Sequence, residues 1–236
     1  MPRTAVVLLA AGSGTRVGAA TNKVLLPLCG EPVLAWSLRT VTALPYVERL
    51  VVVVRPEDAE EVGALVRAHL ADGREAVLVT GGETRHASEE RGLAPLREDV
   101  AAGRVEVVAV HDSARPLAEG ALFDAVVRAA DRHGAALPAR PQQGVVTADG
   151  RTHVTGLLGV QTPQAFRAGA LLDAYARAAT DGFTGTDTAS CVAAYAGLSA
   201  RAVPAPATNL KVTFPEDVAL AERLLDARVG TGPVEA

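Results

Sequence analysis

The chain has 236 residues, 49% of them hydrophobic, enough to bury a substantial core as one large domain or a domain with an appendage. Its 23 Lys and Arg against 27 Asp and Glu give a formal net charge of −4, and no basic run is long enough to track a phosphate backbone, which excludes a dominant nucleic-acid surface. No apolar run approaches the roughly 18 residues of a membrane span, and Cys29 and Cys191 lack the C-x-x-C spacing of a structural zinc site.

The first residues, Met1-Pro2-Arg3-Thr4, enter a strand too early for a secretory signal, so a cytoplasmic protein is expected. Short β-branched runs follow at 5–9, 50–54, 76–80 and 105–110. Segments with helical apolar spacing lie between and after them, at roughly 32–43, 57–71, 85–96 and 120–132. This alternation predicts an α/β fold, a doubly wound, mostly parallel Rossmann-like sheet with right-handed crossovers. The stretch from about 139 to 160 breaks the pattern with Pro141, Gln142, Gln143, Gly144, Gly150 and Gly156, and reads as a β-arm leaving the sheet. Regular structure resumes with a helix near 168–179, another from near Thr186-Asp187, and a strand at 200–204. A final helix runs from Pro215 to about Arg228, with Pro215 at its first position and Glu216 and Asp217 in its first turn. Residues 1–229 are expected to form one domain and 230–236 a flexible tail.

Sheets of this kind bind ligands outside the carboxyl ends of their strands. Three clusters fall on that edge: Ala10-Ala11-Gly12-Ser13-Gly14-Thr15-Arg16, Gly81-Gly82, and His111-Asp112. The first is neither a P-loop (G-x-x-x-x-G-K-S/T) nor a dinucleotide fingerprint, since the third glycine of G-x-G-x-x-G is Val17 and the second strand run ends in Arg55-Pro56 without an acid. A plain strand-to-loop turn is the bland alternative, but Arg16 and Lys23 beside it are two cations that such a turn does not need. Backbone N–H groups unobstructed by side chains, with those cations, suit a triphosphate. Lys211 lies in a polar stretch able to reach the same edge. Nucleotidyl transfer asks for alignment and charge compensation rather than an enzyme nucleophile, and no G-x-S-x-G or Cys-His pairing is evident.

Six blocks now stand in order: the turn with Lys23; Gly81-Gly82-Glu83-Thr84-Arg85 with Ser88; His111-Asp112-Ser113-Ala114-Arg115-Pro116; Gln161-Thr162-Pro163-Gln164; Thr186-Asp187-Thr188-Ala189-Ser190; and Asn209-Leu210-Lys211-Val212-Thr213. Together, over nearly the whole chain, they resemble the 2-C-methyl-D-erythritol 4-phosphate cytidylyltransferases of the non-mevalonate isoprenoid pathway. Ribitol-5-phosphate cytidylyltransferases share most of them. The resemblance implies a nucleotide-diphospho-sugar transferase type of sheet and transfer of CMP from CTP to a small polyol phosphate, with methylerythritol 4-phosphate as first choice. Mg²⁺, held mainly by the CTP phosphates, would be the cofactor. It also implies a homodimer whose arm completes the partner's site. Carried over by position, Arg16 and Lys23 would bind the triphosphate and stabilise the pentacoordinate transition state. Ala10, Ala11, Gly82, Glu83 and Ser88 would line the cytosine site, and Gly12, Asp112 and Ser113 the ribose. Thr162, Thr186 and Lys211 would face the sugar phosphate.

Several residues have structural readings too. Ser88 could be a helix cap, Asp112 a turn residue, and Arg115 a structural ion pair; His111 reads as a packed strand-end histidine and Trp36 as core. The chain also departs from the family pattern. Glu83 stands for the usual aspartate, and Glu89 for the usual valine, which is expected to put a charge near the cytosine pocket. The arm has Pro141-Gln142-Gln143-Gly144 for Asp-Thr-Ile/Met-Lys. Val154 falls where the family has its arm arginine, and Arg151 or His153 are the nearby basic residues that could replace it. A ribitol 5-phosphate or other alditol-phosphate acceptor, and a non-catalytic CTP-binding paralogue, are the rival readings.

Overall fold

The computed structural model describes residues 1–12, 22–71 and 74–230, with side chains through 227. β1 (Thr4–Leu9) is followed, beyond the glycine-rich turn, by the short strands β2 (Pro27–Leu28) and β3 (Glu31–Pro32) and by α1 (Val33–Thr42). Alternation continues through β4 (Val47–Val54), α2 (Ala59–His69), β5 (Ala76–Thr80), α3 (Arg85–Leu93), α4 (Arg97–Ala101), β6 (Val107–Asp112) and α5 (Gly120–His133). The second half comprises β7 (Ala135–Pro141), β8 (Val145–Val146), β9 (His153–Val154), β10 (Leu158–Val160), β11 (Gln164–Arg167), α6 (Ala168–Asp181), α7 (Thr188–Ala196), β12 (Arg201–Pro204) and α8 (Pro215–Gly230).

Among the described residues, eight strands form the main sheet. β1 lies between β4 and β6, parallel to both, and β5 extends the row parallel to β4. β11 runs antiparallel to β6 and to the start of β7, β10 antiparallel to the end of β7, and β12 parallel to β7. The doubly wound, mostly parallel sheet expected from the alternation is therefore present.

Strand period explains why both faces are covered. Val6, Leu8, Val52 and Val54 pack into one core with α1, α2 and α5, while Ala5, Val7, Val51 and Val53 pack into the opposite core with α3, α6 and α7. Strands buried on both sides need the continuous apolar runs read at 5–9 and 50–54. A smaller cluster around Leu28, Val33, Leu117 and Ala221 docks α8, with Trp36 packed against it.

Three boundaries differ from expectation. The predicted helix over 85–96 ends at Leu93, because Pro95 turns the chain into a single 3-10 turn before α4. The run read at 105–110 extends to 112, so His111 and Asp112 belong to the strand and are placed by its ladder. At the arm, Ala139, Arg140 and Pro141 remain paired in the sheet with Val160, Gly159 and Leu158. Only 142–157 lies outside the main sheet, as a small hairpin in which Val145 and Val146 face Val154 and His153.

Candidate active site

The carboxyl ends of β1, β4, β5 and β6 open on a cleft of about 480 Å³. Ala11 and Gly12 form its floor beside Lys23, Gly81 through Arg85 and Ser88 form one wall, and Asp112, Lys211 and Thr213 close the other side. Arg55, Pro56 and Glu57, which follow β4, complete the rim.

The glycines are required by close approach. A Cβ on Gly81 would lie 2.5 Å from Ala11 Cβ, and one on Gly82 would lie 2.5 Å from Ala87 Cβ. Those distances are below any tolerable carbon contact, so the backbone after β5 can lie against both the first loop and α3 only as glycine. Ser88 fixes it there: its hydroxyl accepts from the Gly82 N–H at 3.1 Å and reaches the Gly82 carbonyl at 3.3 Å. Thr84 is the helix cap, accepting from the Ala87 N–H at 3.0 Å. Ser88 thus holds the pocket backbone rather than capping α3.

Lys23 opens a 3-10 turn whose cap is the buried Asn22. Asn22 Nδ2 donates to the Ala10 carbonyl at 2.8 Å and to Asp58 Oδ2 at 2.7 Å. Asp58 in turn accepts from Arg55 Nε at 2.6 Å, and that bond, working against burial, holds its carboxyl below the usual range. The strand end at Ala10 and the 3-10 turn at Lys23 are thereby tied to one ion pair. Arg16 lies outside the described residues.

Asp112 is the charge centre of the far wall. Oδ1 accepts from Arg85 Nη2 at 3.1 Å, and Oδ2 from Lys211 Nζ at 2.5 Å. Burial pushes its carboxyl up, but Arg85 and Lys211 outweigh burial and leave it well below the ordinary carboxylate range. Its N–H donates to Thr162 Oγ1 at 3.0 Å, and Thr162 Oγ1 is 3.2 Å from His111 Nδ1. Asn209, preceding Lys211, donates to Gln161 Oε1 and to the Thr162 carbonyl, and Arg115 Nη1 donates to the Asn209 carbonyl. This lattice joins the Gln161-Thr162 and Asn209-Lys211 blocks to the end of β6.

Of the residues chosen from sequence, the cleft gathers Ala11, Gly12, Lys23, Gly82, Glu83, Ser88, Asp112 and Lys211. Ala10, Ser113 and Thr162 are buried and are not among its lining residues. Ser113 donates its N–H to the Leu9 carbonyl, and its hydroxyl has no hydrogen-bond partner among the described residues. Thr186 is exposed and precedes Asp187, the cap of α7, which accepts from Gln164 Nε2 at 2.8 Å. Arg151 and His153 are exposed on the hairpin and do not line the cleft.

The charge that Glu89 was expected to bring near the pocket lies behind its wall: the side chain is buried, does not line the cleft, and reaches it through Arg85. Sequence reasoning assigned no role to Arg85 or Arg55, although both line the cleft. The Arg85/Glu89 spacing, one helical turn, was the available signal for the first; nothing local marked the second.

A doubly wound sheet with a glycine-floored cleft at its carboxyl edge, cations on both sides and no nucleophile triad among the described residues defines a nucleotidyltransferase-type protein. The sequence profile of the 2-C-methyl-D-erythritol 4-phosphate cytidylyltransferase family matches residues 4–227. The enzyme of that name from Acidobacterium capsulatum is 37% identical over 96% of this chain and 98% of its own length, and that from Parasynechococcus marenigrum 39% identical over 94% and 98%. The crystal structure of 4-diphosphocytidyl-2C-methyl-D-erythritol synthase from Anaerococcus prevotii superposes with a TM-score of 0.80 at 25% identity, covering 95% of this chain and 99% of that one. The chain belongs to the 2-C-methyl-D-erythritol 4-phosphate cytidylyltransferase family, and it is a cytidylyltransferase.

Proposed function

We propose that the cleft binds CTP and transfers its CMP to 2-C-methyl-D-erythritol 4-phosphate, giving 4-diphosphocytidyl-2-C-methyl-D-erythritol and pyrophosphate for isoprenoid synthesis. The observation that carries this is the placing of Lys23, Asp112 and Lys211 around one glycine floor at the carboxyl edge. Cytosine would lie along Ala11, Gly82 and Glu83, with Ser88 holding the Gly82 backbone. The ribose would meet Gly12 and Asp112. Ala10, Ser113 and Thr162 would act from behind, the last by fixing the Asp112 backbone.

In the transfer, an oxygen of the acceptor's phosphate attacks the CTP α-phosphorus in line as the bond to pyrophosphate breaks. Arg16 and Lys23 offset the charge on the triphosphate and on the pentacoordinate phosphorus. Lys211, whose ammonium holds a carboxylate oxygen, would take the acceptor phosphate, and Thr186 would face it as well. Two cations on either side of the reacting phosphorus are worth more in a partly enclosed cleft than in water.

Mg²⁺ is the expected metal and fits the donors as a phosphate-borne ion. No group of three His, Cys, Asp or Glu residues placed to hold a metal occurs among the described residues, and both Asp112 oxygens are engaged by cations. The triphosphate would supply most of the ion's ligands, and the ion would neutralise phosphate charge. We propose a homodimer through 142–157 and β10, where Val146, Leu157, Leu158 and Val160 are exposed apolar residues. No described helix is long and apolar enough to cross a membrane, and a cytoplasmic location suits the unpaired Cys29 and Cys191.

Pyrophosphate release from CTP across a panel of polyol phosphates tests the reading. Release with methylerythritol 4-phosphate is expected. Release with ribitol 5-phosphate alone would replace the acceptor, and CTP binding with no release for any acceptor would leave a non-catalytic paralogue.

A further inference from the structure

Behind the cleft wall lies a buried carboxylate that none of the roles above uses. Glu89 is completely inaccessible, on the inner face of α3. Three donors from three helices converge on it. Arg85 Nη1 and Thr188 Oγ1, the latter at 2.6 Å, donate to Oε1; Tyr175 OH donates to Oε2 at 2.6 Å. Arg85 gives its other terminal nitrogen to Asp112. The result is a row of alternating charge, Glu89, Arg85, Asp112, Lys211, running from the core to the open cleft.

A buried acid of this kind is expensive, since removing a carboxylate from water costs several kcal/mol that its partners must offset. Burial pushes the Glu89 carboxyl up, and the Arg85 guanidinium and the two hydroxyls pull it only part of the way back, so it stays above its ordinary range. Burial likewise works against the Arg85 charge, and Asp112 with Glu89 more than restores it. An apolar side chain would fill the same space without that cost. What the acid adds is a fixed second anchor for a long side chain that, among the described residues, otherwise has only Asp112 to hold it beside an anion-binding cleft.

We propose that Glu89 is a positioning residue for the nucleotide site: it anchors Arg85, which in turn fixes Asp112 against Lys211 on the cleft wall. Without this anchor Arg85 is a mobile side chain on the wall, and Asp112 and Lys211 lose the fixed geometry they present to the ligand. Tyr175 and Thr188 orient the Glu89 carboxylate and extend the support into α6 and α7. The inference rests on reading the cleft as the CTP site.

The test is a double-mutant cycle in CTP affinity, measured by calorimetry on the full chain and needing no turnover. Glu89→Gln keeps size and hydroxyl partners but removes the charge, and Arg85→Gln removes the link. Each is expected to weaken CTP roughly tenfold, with the double variant within about threefold of Arg85→Gln alone, because coupled residues are not additive. A role confined to folding lowers the thermal midpoint and leaves affinity in the folded protein unchanged. Thr188→Val is the milder variant if Glu89→Gln fails to fold; it should weaken CTP in the same direction, and by less. Wild-type affinity in folded Glu89→Gln, or in Thr188→Val where that is the variant tested, overturns the proposal. So do losses that multiply in the double variant. Failure of the wild-type chain to bind CTP removes the nucleotide reading itself, a different result from normal binding that ignores Glu89.

Discussion

Lys211 Nζ and Asp112 Oδ2 stand 2.5 Å apart, an ion pair between the loop before α8 and the last residue of β6. The pair sets the position of the one lysine assigned to the acceptor phosphate. Asp112→Asn keeps the shape and removes the charge, so Arg85 and Lys211 lose their common anchor. Turnover should fall by roughly a hundredfold, the scale of losing a preorganised charged contact. Steady-state pyrophosphate release measures it. Because the Asp112 carboxyl is held well below the ordinary range, its contribution to stability is fully present above that range and is lost only as pH falls through the depressed value. The acidic limb of the wild-type activity profile should therefore not come from Asp112. A limb that vanishes in Asp112→Asn would contradict this.

Asn22 ties the end of β1 to the start of the 3-10 turn at Lys23. Asn22→Ala leaves the buried Ala10 carbonyl without the Nδ2 donor and takes one donor from Asp58. Stranding such groups costs about 2 kcal/mol. The urea midpoint should fall accordingly, and KM for CTP should rise more than kcat falls, since Lys23 begins the turn that Asn22 caps. An unchanged KM for CTP would separate this clamp from the nucleotide site.

His111 supplies a pH dependence of stability. Its ring is fully buried, 5.1 Å from the Phe123 ring, and burial pushes the imidazole down to about 4. A native value below the unfolded value of about 6.5 means that the unfolded chain binds the extra proton first. Stability is thus complete above about pH 6.5 and erodes as pH falls toward 4, by about 3 kcal/mol in all. Urea unfolding at pH 7.5 and pH 5 should show the loss, and His111→Asn should flatten that slope whatever its effect at pH 7.5. Equal slopes in the two proteins would assign the dependence elsewhere.

The alternating half of the fold was legible because its strands are buried on both faces and its helices on one, so Val51-Val52-Val53-Val54 and the periodic runs carry distinct patterns. The positions of Gly82, Ser88, Asp112 and Lys211 on one cleft were legible through their blocks at strand ends. What sequence could not supply was set by tertiary pairing. β7 shows no period that separates it from the arm, and its place depends on β10, β11 and β12 lying against it. Glu89 read only as a charge near the pocket, because helix phase alone does not reveal that Tyr175 and Thr188, far along the chain, face it from behind. The clamp of Asn22 on Ala10 and Asp58 is equally invisible, since it joins a loop, a strand end and a helix start.

Leu158 and Val160 project from one face of β10, two residues apart, and both are about half exposed. Their backbone is already paired with Pro141 and Ala139 of β7, so the side chains, and not the ladder, are what this face offers a second copy. Replacing both with glutamate puts two like charges on an interface that should be apolar, while exposed substitutions of this kind cost an isolated chain no more than about 0.5 kcal/mol. Light scattering should show a dimer for the wild type and a monomer for the double variant, with a thermal midpoint set by the monomer alone. CTP affinity should survive, because the cleft of one chain contains the Gly82, Asp112 and Lys211 walls complete. Turnover with methylerythritol 4-phosphate should fall sharply if the partner's arm completes the acceptor site. A variant that stays dimeric moves the interface elsewhere, and a monomer with full turnover confines the acceptor site to a single chain.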